Sequence, residues 1–180
     1  MTQYARPDST EAAGNWYDTE MSSQTNLHLQ TDEASADDND FIQVMDEDGS
    51  TLVTCKLGLS NVSDPSNAIN HRVVVRAQGT DSGEGVPELK FALYDVSSGD
   101  LGVGQSGVTP SASSWGNHTF TLAATGADAI TNYNNLQIWL TMDPDGADFG
   151  GLFVSQVYFE CDDAAAAVTE NPAFLLFMGM

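Results

Sequence analysis

The chain has 180 residues, of which 26 are acidic and 5 basic, so its formal net charge at pH 7 is −21. This length predicts a single domain, and an apolar content of 41% is sufficient for a substantial core. The charge argues against binding to nucleic-acid phosphates or to anionic lipid surfaces.

The acidic residues gather in loops, for example at 37–40 and 46–48, and aspartate is more common than glutamate. Molar salt shortens the Debye length to about 3 Å and so reduces the repulsion between these charges. The pattern resembles proteins of salt-accumulating organisms and predicts a halophilic or marine setting. An ordinary acidic surface that aids solubility is the alternative.

Residues 1–40 are polar and show no sustained helical period, so we expect an extended arm with a few apolar anchors, followed by an acidic loop. The first residues, 1–6, lack the charged-then-apolar pattern of a secretory signal. No apolar run approaches the length that spans a membrane. We therefore expect neither export by that route nor a membrane anchor.

From Phe41 onward, apolar side chains recur at every second position, which is typical of strands with one buried face. Clear runs lie at 52–59, 71–77, 89–94, 118–122, 136–142 and 153–161, with weaker ones at 41–45 and 101–108. In the last clear run Phe153, Val157, Phe159 and Cys161 are expected to share a face.

Turn-forming residues separate these runs, and one helical turn is expected within 123–133. About eight short strands without helical crossovers predict an all-β fold, an antiparallel β-sandwich of jelly-roll-like topology. This domain is expected to span residues 41–163. Cys55 and Cys161 fall on the apolar sides of their strands, which favours buried thiols over a disulfide.

The chain concludes with a tail, residues 164–180, in which a small-residue spacer precedes an apolar segment. Its most apolar residues are Phe174, Leu175, Leu176 and Phe177. Left exposed, such a segment would promote aggregation. We expect it either to add a strand to its own sheet or to dock on a neighbouring subunit by strand addition.

No motif indicates catalysis, and we expect no enzymatic activity. His28, His71 and His118 are interpreted as core or turn residues satisfied by hydrogen bonds. Candidate carboxylates such as Glu88 and Glu160 do not stand out by their spacing as a glycosidase pair would.

Asp143, Asp145 and Asp148 surround a glycine and offer the hard oxygen ligands that calcium takes at a turn. The alternatives here are a calcium site or a solvated acidic turn. The three tryptophans Trp16, Trp115 and Trp139 could form a sugar-stacking platform, but anchors of a protein interface are favoured.

Several short segments of the sequence resemble parts of a known family. Arg6-Pro7-Asp8-Ser9, the segment 57–65 and the segment 127–136 are similar to successive parts of a β-sandwich domain common in structural proteins of tailed viruses of bacteria and archaea. The resemblance covers residues 5 to 163. It implies a virion component and no active site.

Within that family, a short free-standing copy with an arm and an apolar tail looks like a head decoration or cement protein. The resemblance implies a place on the exterior of the virion, capsid proteins as partners and a homo-oligomer, with a trimer favoured. Trp16 and the segment 174–177 would make the docking contacts. The alternatives are a tail, turret or fibre subunit and, from another class, a carbohydrate-binding module that uses Trp115 or Trp139 with calcium at Asp143 and Asp145.

Overall fold

The structure is a computed structural model that describes residues 1–45, 52–81, 83, 85–98, 101–144 and 150–163. Within these residues the chain forms ten strands. They are β1 (Thr2–Ala5), β2 (Pro7–Ala12), β3 (Ile42–Met45), β4 (Val53–Leu59), β5 (Arg72–Thr80), β6 (Glu88–Asp95), β7 (Leu101–Val108), β8 (Gly116–Thr121), β9 (Leu136–Asp143) and β10 (Gly151–Asp162). One helical turn, α1 (Ala124–Ala127), and two 3₁₀ turns, Leu27–Gln30 and Val96–Ser98, complete the elements.

The strands form two antiparallel sheets. Sheet A has the order β1-β10-β5-β8, and β3 also pairs with β10, while sheet B has the order β2-β4-β9-β6-β7. The antiparallel β-sandwich predicted from the alternation is therefore confirmed, with ten strands rather than about eight. Across the described part of the chain, no helix is long and apolar enough to cross a membrane.

The core lies between the sheets, where strands such as β9 bury every second side chain. In β9, Leu136, Ile138, Leu140 and Met142 are at most 2% exposed, while the residues between them are partly exposed. Sheet A contributes the facing layer, which includes Val73, Val75, Val157 and Phe159, all fully buried. Burial of side chains of this size contributes roughly 1.5–3 kcal/mol each.

Cys55 and Cys161 both belong to this core. Each thiol is free and buried, as the alternation predicted. Burial raises the pKa of Cys55 to about 12 and that of Cys161 to about 11, so both stay protonated and unreactive at neutral pH.

The first twelve residues differ from the expected arm. They are extended, but β1 pairs with the end of β10 and β2 pairs with β4. Successive segments on either side of Arg6 therefore join opposite sheets, and the start of the chain is an integral part of the sandwich.

A β-bulge interrupts β10. Val154 pairs with Ala77 and Gln156 with Arg76, so Ser155 is the extra residue. The bulge changes which side chains face the core, and the expectation that Phe153 shares a face with Val157 is wrong for this reason. Phe153 lies on the outer face of sheet A.

Candidate functional site

A loop covers part of the outer face of sheet A. Strands β3 and β1 pair with opposite ends of β10, which leaves a gap along its edge, and residues 31–40 fill that gap. The Val157 amide donates to the Thr31 carbonyl oxygen at 3.0 Å, and Gln156 Nε2 donates to the Glu33 carbonyl oxygen at 2.8 Å. These bonds attach the 31–40 loop to the strand backbone.

Asp38 fixes the other end of the 31–40 loop. Arg76 donates from Nε to Oδ1 at 2.7 Å and from Nη2 to Oδ2 at 2.6 Å, and Ser155 Oγ donates to Oδ1 at 3.1 Å. The hydrogen bonds from Arg76 lower the pKa of Asp38 despite partial burial. A bidentate pair of this kind is directional as well as charged, so the position of the loop over the sheet is well defined.

Between this loop and the strands lies an open groove of about 540 Å³, which we call the Tyr–Arg groove. It is lined by Tyr4, Arg6, Ala34, Ser35, Ala36, Arg76, Asn117, Gln156 and Tyr158. Four strands, β1, β5, β8 and β10, and the segment just after β1 supply all of these residues except the three from the loop. The floor of the groove is therefore formed by sheet A.

Two tyrosines form the aromatic part of the groove. The rings of Tyr4 and Tyr158 meet edge to face, with centroids 5.7 Å apart, and Tyr4 is 45% exposed. The guanidinium carbon of Arg6 lies 5.4 Å from the centre of the Tyr4 ring, within cation–π range. The aromatic surface is thus held in place and still accessible.

Planar polar groups complete the lining. Arg6 Nε donates to the Glu33 carbonyl oxygen at 3.3 Å, and Arg76 Nη1 donates to Asn117 Oδ1 at 3.3 Å. Aromatic faces beside planar amide and guanidinium groups suit a ligand with both flat apolar surfaces and many hydrogen-bonding oxygens.

The histidines are not part of this groove. His71 is fully buried, its Nε2 lies 2.7 Å from the Tyr133 hydroxyl, and burial lowers its pKa. His28 Nδ1 lies 3.1 Å from Thr10 Oγ1. Burial also lowers the pKa of His118. The three histidines therefore lie in separate environments. Among the described residues, no group of three or more His, Cys, Asp or Glu side chains could hold a metal ion.

Trp16, predicted at a docking interface, lies in the core. Its side chain is 0% exposed, and its Nε1 donates to the Val53 carbonyl oxygen at 3.3 Å. The indole closes the core beneath the β2–β4 pair and has no surface to offer a partner. The other predicted interface residues, Phe174, Leu175, Leu176 and Phe177, lie outside the described residues.

Trp139, one of the two candidate sugar-stacking tryptophans, is covered on both sides. Lys56 on β4 places its Nζ 3.5 Å from the centre of the Trp139 ring, and the Tyr94 ring on β6 stacks on it at 3.8 Å. Because β4 and β6 flank β9, the two neighbours lie on opposite sides of the indole. A sugar ring has no free face of Trp139 on which to stack.

Trp115 lies in a separate aromatic cluster. Its ring centre is 5.8 Å from that of Phe41, which in turn is 5.3 Å from Phe153. All three side chains are half-buried. Trp115 therefore covers the margin of sheet A rather than forming a platform of its own.

The predicted calcium turn is only partly described. Asp143 forms an ion pair with Lys90, which occupies a carboxylate that calcium would need. Asp145 and Asp148 lie outside the described residues, so the calcium site stays a prediction.

Sequence reasoning does not single out the groove residues. The alternation correctly predicts that Arg76 lies on the polar side of its strand. It identifies which residues form the core, but it does not indicate what the opposite face of the sheet binds. Tyr4 and Arg6 come from a segment interpreted as an arm. Outward-facing aromatic and arginine side chains at alternate positions are the signal that could have identified this face.

No protein-family model and no curated protein matches the chain. Solved structures with a similar arrangement include TmCBM61 in complex with β-1,4-galactotriose (10% identity, 88% of this chain and 86% of that chain, TM-score 0.44). A CBM4 structure (16% identity, 81% and 93%, TM-score 0.44) and a cyclase from Fischerella sp. TAU (15% identity, 92% and 75%, TM-score 0.45) also match. At these values the likeness carries no argument about function, and the sandwich is established by its own strand pairing.

Proposed function

We propose that this protein is a non-catalytic carbohydrate-binding β-sandwich that holds a glycan in the Tyr–Arg groove. The observation that carries the proposal is the groove itself, in which the rings of Tyr4 and Tyr158 lie beside Arg6, Arg76 and Asn117. Its volume of about 540 Å³ falls within the range of ligand sites, roughly 300–1,000 Å³.

Aromatic rings and planar polar groups match the two surfaces of a sugar. A pyranose ring presents C–H groups on its faces, which pack on the faces of aromatic rings, and hydroxyl groups around its rim, which bond to guanidinium and amide groups. Tyr4 is accessible enough for the first contact. Arg76 and Asn117 are held by Asp38 and by each other, so little conformational entropy is lost when they bind a ligand.

The same lining supports binding without hydrolysis. Glycoside hydrolysis generally requires two carboxyl groups on either side of the scissile bond. Among the described residues that line the groove there is no aspartate or glutamate. We therefore propose retention of the glycan, not its cleavage.

Replacing Tyr158 tests the proposal. Tyr158→Ala removes an aromatic wall from the groove, and we expect affinity for a glycan to fall about tenfold or more, the equivalent of about 1.4 kcal/mol. Tyr94→Ala is the matched control, because Tyr94 is an equally large half-buried ring on the outer face of sheet B. The measurement is retardation in native gels containing soluble polysaccharides, followed by calorimetry with each polysaccharide that retards the protein.

The proposal would be contradicted if no polysaccharide retarded the protein in a panel of neutral and acidic plant, algal and microbial glycans. So would equal losses of affinity in the two variants, because the binding face would then not be the groove. Tyr158→Phe keeps the ring and is expected to retain most of the affinity.

The virion role implied by the resemblance stays a prediction. The buried position of Trp16 removes one of its two proposed docking contacts, and the other lies outside the described residues. The structure supports the groove more directly than it supports a capsid contact.

A further inference from the structure

The lining of the Tyr–Arg groove contains no acidic side chain among the described residues, although the 31–40 loop beside it carries Asp32, Glu33, Asp37, Asp38 and Asp40 outside the lining. The whole chain carries 26 acidic residues. Three other cavities each have a carboxylate in their lining, from Asp18 in one case and from Asp64 in two. Two of the chain's five basic residues, Arg6 and Arg76, line this groove instead.

The two arginines are in different states. Arg76 is neutralised by its bidentate contact with Asp38, which also fixes the 31–40 loop. Arg6 forms no ion pair with a carboxylate within the part of the chain that the structure describes, and its hydrogen bond is to the Glu33 backbone carbonyl through Nε. Among the described residues, no carboxylate therefore compensates its positive charge by direct contact.

Two side chains of the lining have hydrogen-bond donors left for a ligand. Nε of Arg6 is bonded, which leaves its terminal amino groups for a ligand. Asn117 accepts from Arg76 through Oδ1, so its amide nitrogen remains a donor. A ligand that brings a negatively charged acceptor matches this set better than one with hydroxyl groups alone, since charge-assisted bonds are about twice as strong as neutral ones.

We infer that the glycan bound in the Tyr–Arg groove carries uronate groups, and that Arg6 pairs with a uronate carboxylate. This inference rests on the proposed carbohydrate-binding function and names its ligand class. The net charge of −21 repels a polyanion at long range, but the Debye length of about 8 Å at physiological ionic strength screens that repulsion. Within the described lining of the groove, the ligand meets the Arg6 guanidinium and no carboxylate.

The test compares each acidic polysaccharide with its neutral counterpart. Polygalacturonate, alginate and hyaluronan are each used intact and after chemical reduction of their carboxyl groups to alcohols. We expect at least one intact polymer to bind the wild-type protein about tenfold more tightly than its reduced form, which corresponds to about 1.4 kcal/mol. In Arg6→Gln the ratio of the affinities for the intact and the reduced polymer is expected to fall towards one. In Arg6→Lys this ratio should lie between the wild-type value and that of Arg6→Gln.

Lys56→Gln is the matched control, because it removes one positive charge from the opposite sheet and should leave the ratio unchanged. Equal binding of intact and reduced polymers, or an unchanged ratio in Arg6→Gln, would overturn the inference. A sulfated galactan that binds in an Arg6-dependent manner while all uronates fail would also overturn it and would identify sulfate as the anion.

The two proposals fail separately. If intact and reduced polymers bind equally and Tyr158→Ala abolishes both, carbohydrate binding stands and the uronate inference does not. If no polymer binds in either form, both are wrong. The urea midpoint of each variant shows whether a loss of binding reflects a loss of the fold.

Discussion

A single buried carboxylate holds two loops at one end of the sandwich. Asp95, the last residue of β6, is 0% exposed, yet its carboxylate is well satisfied. Oδ2 accepts from the amide and hydroxyl of Thr131 at 2.7 and 2.8 Å and from the Asn132 amide at 3.1 Å, and Oδ1 accepts from the amide of Ser97 at 3.0 Å and from its hydroxyl. One carboxylate therefore ties two loops to sheet B.

The pKa of Asp95 gives a test at this scale. Burial opposes ionisation, but the hydrogen bonds from Ser97 and Thr131 outweigh it and lower the pKa. Asp95→Asn loses the charged acceptor, and we expect the free energy of unfolding at neutral pH to fall by about 2 kcal/mol or more. Asp8→Asn, a change of the same kind on an exposed residue, should have little effect in urea denaturation.

The sign of the pH dependence follows from the lowered pKa. The stabilisation is fully present above the unfolded-state pKa of about 3.9 and is lost as the pH falls through the lower folded-state pKa. The difference in the free energy of unfolding between wild type and Asp95→Asn should therefore become smaller below about pH 4. A gap that is constant from pH 7 to pH 3 would show that the charge of Asp95 does not contribute.

At the scale of elements, the turn after β2 depends on a glycine. Gly14 has φ of +55°, and a Cβ placed on it would lie 1.9 Å from the Thr54 carbonyl oxygen. At this turn the backbone of Gly14 packs directly against the backbone of Thr54. Two residues later, Trp16 enters the core. Neither a side chain nor an ordinary conformation fits there.

We expect Gly14→Ala to destabilise the fold by about 3 kcal/mol or more, through both backbone strain and collision. Gly83→Ala separates the two causes, since Gly83 also has a positive φ, +112°, but nothing lies within 4 Å of its added Cβ. That variant should cost about 1–3 kcal/mol, from backbone strain alone. Equal urea midpoints for the two variants would mean that the collision with Thr54 is relieved at no cost.

The elements also show how far sequence reasoning reaches. Strands such as β4, β5, β6, β9 and β10 could be predicted because each places several apolar residues on the core side. In β1 only Ala5 is buried, and in β2 only Pro7. These two strands join their sheets through backbone hydrogen bonds along one edge. Backbone bonds do not require alternating apolar side chains, so the sequence of these strands shows no alternation.

The candidate site is harder to predict than the strands, for a related reason. Tyr4 and Tyr158 stand at opposite ends of the described chain and meet only because β1 pairs with β10. Asn117 meets Arg76 through the β5–β8 register. Cross-strand neighbours of this kind are set by register, and hydrophobic periodicity specifies which face a residue occupies but not which residue lies beside it.

For the whole molecule, the excess of negative charge is the most prominent feature. The net charge of −21 makes the compact state repel itself, and screening by salt reduces that repulsion. All five basic residues lie on the outer faces of the sheets or beside them, three with sheet A and two on sheet B. Five positive charges cannot balance the 26 acidic residues, so the net repulsion remains.

We expect salt to stabilise the protein. Raising the ionic strength from 0.1 to 1 M shortens the Debye length from about 10 to about 3 Å. An increase of about 1 kcal/mol in the free energy of unfolding would raise Tm by roughly 2–4 °C for a chain of this size. Calorimetric scans across this range measure the effect.

The double variant Asp8→Asn/Glu20→Gln is the control for that measurement. Both side chains are exposed, and removing their charges should make the dependence on salt shallower without changing the core. An equal slope in the two proteins would attribute the effect to salting-out of apolar surface and not to charge.

The extra residue in β10 has a consequence for how this strand can vary. On its two sides the inward positions differ in parity, with Leu152 and Val154 before it and Val157 and Phe159 after it. Deleting Ser155 would restore a regular strand and leave the groove and the core on their present sides. Deleting a single residue at 157–161, with the bulge kept, would turn the side chains that follow the deletion to the opposite face of the sheet. Length polymorphism among natural variants of this strand should therefore be confined to the bulge.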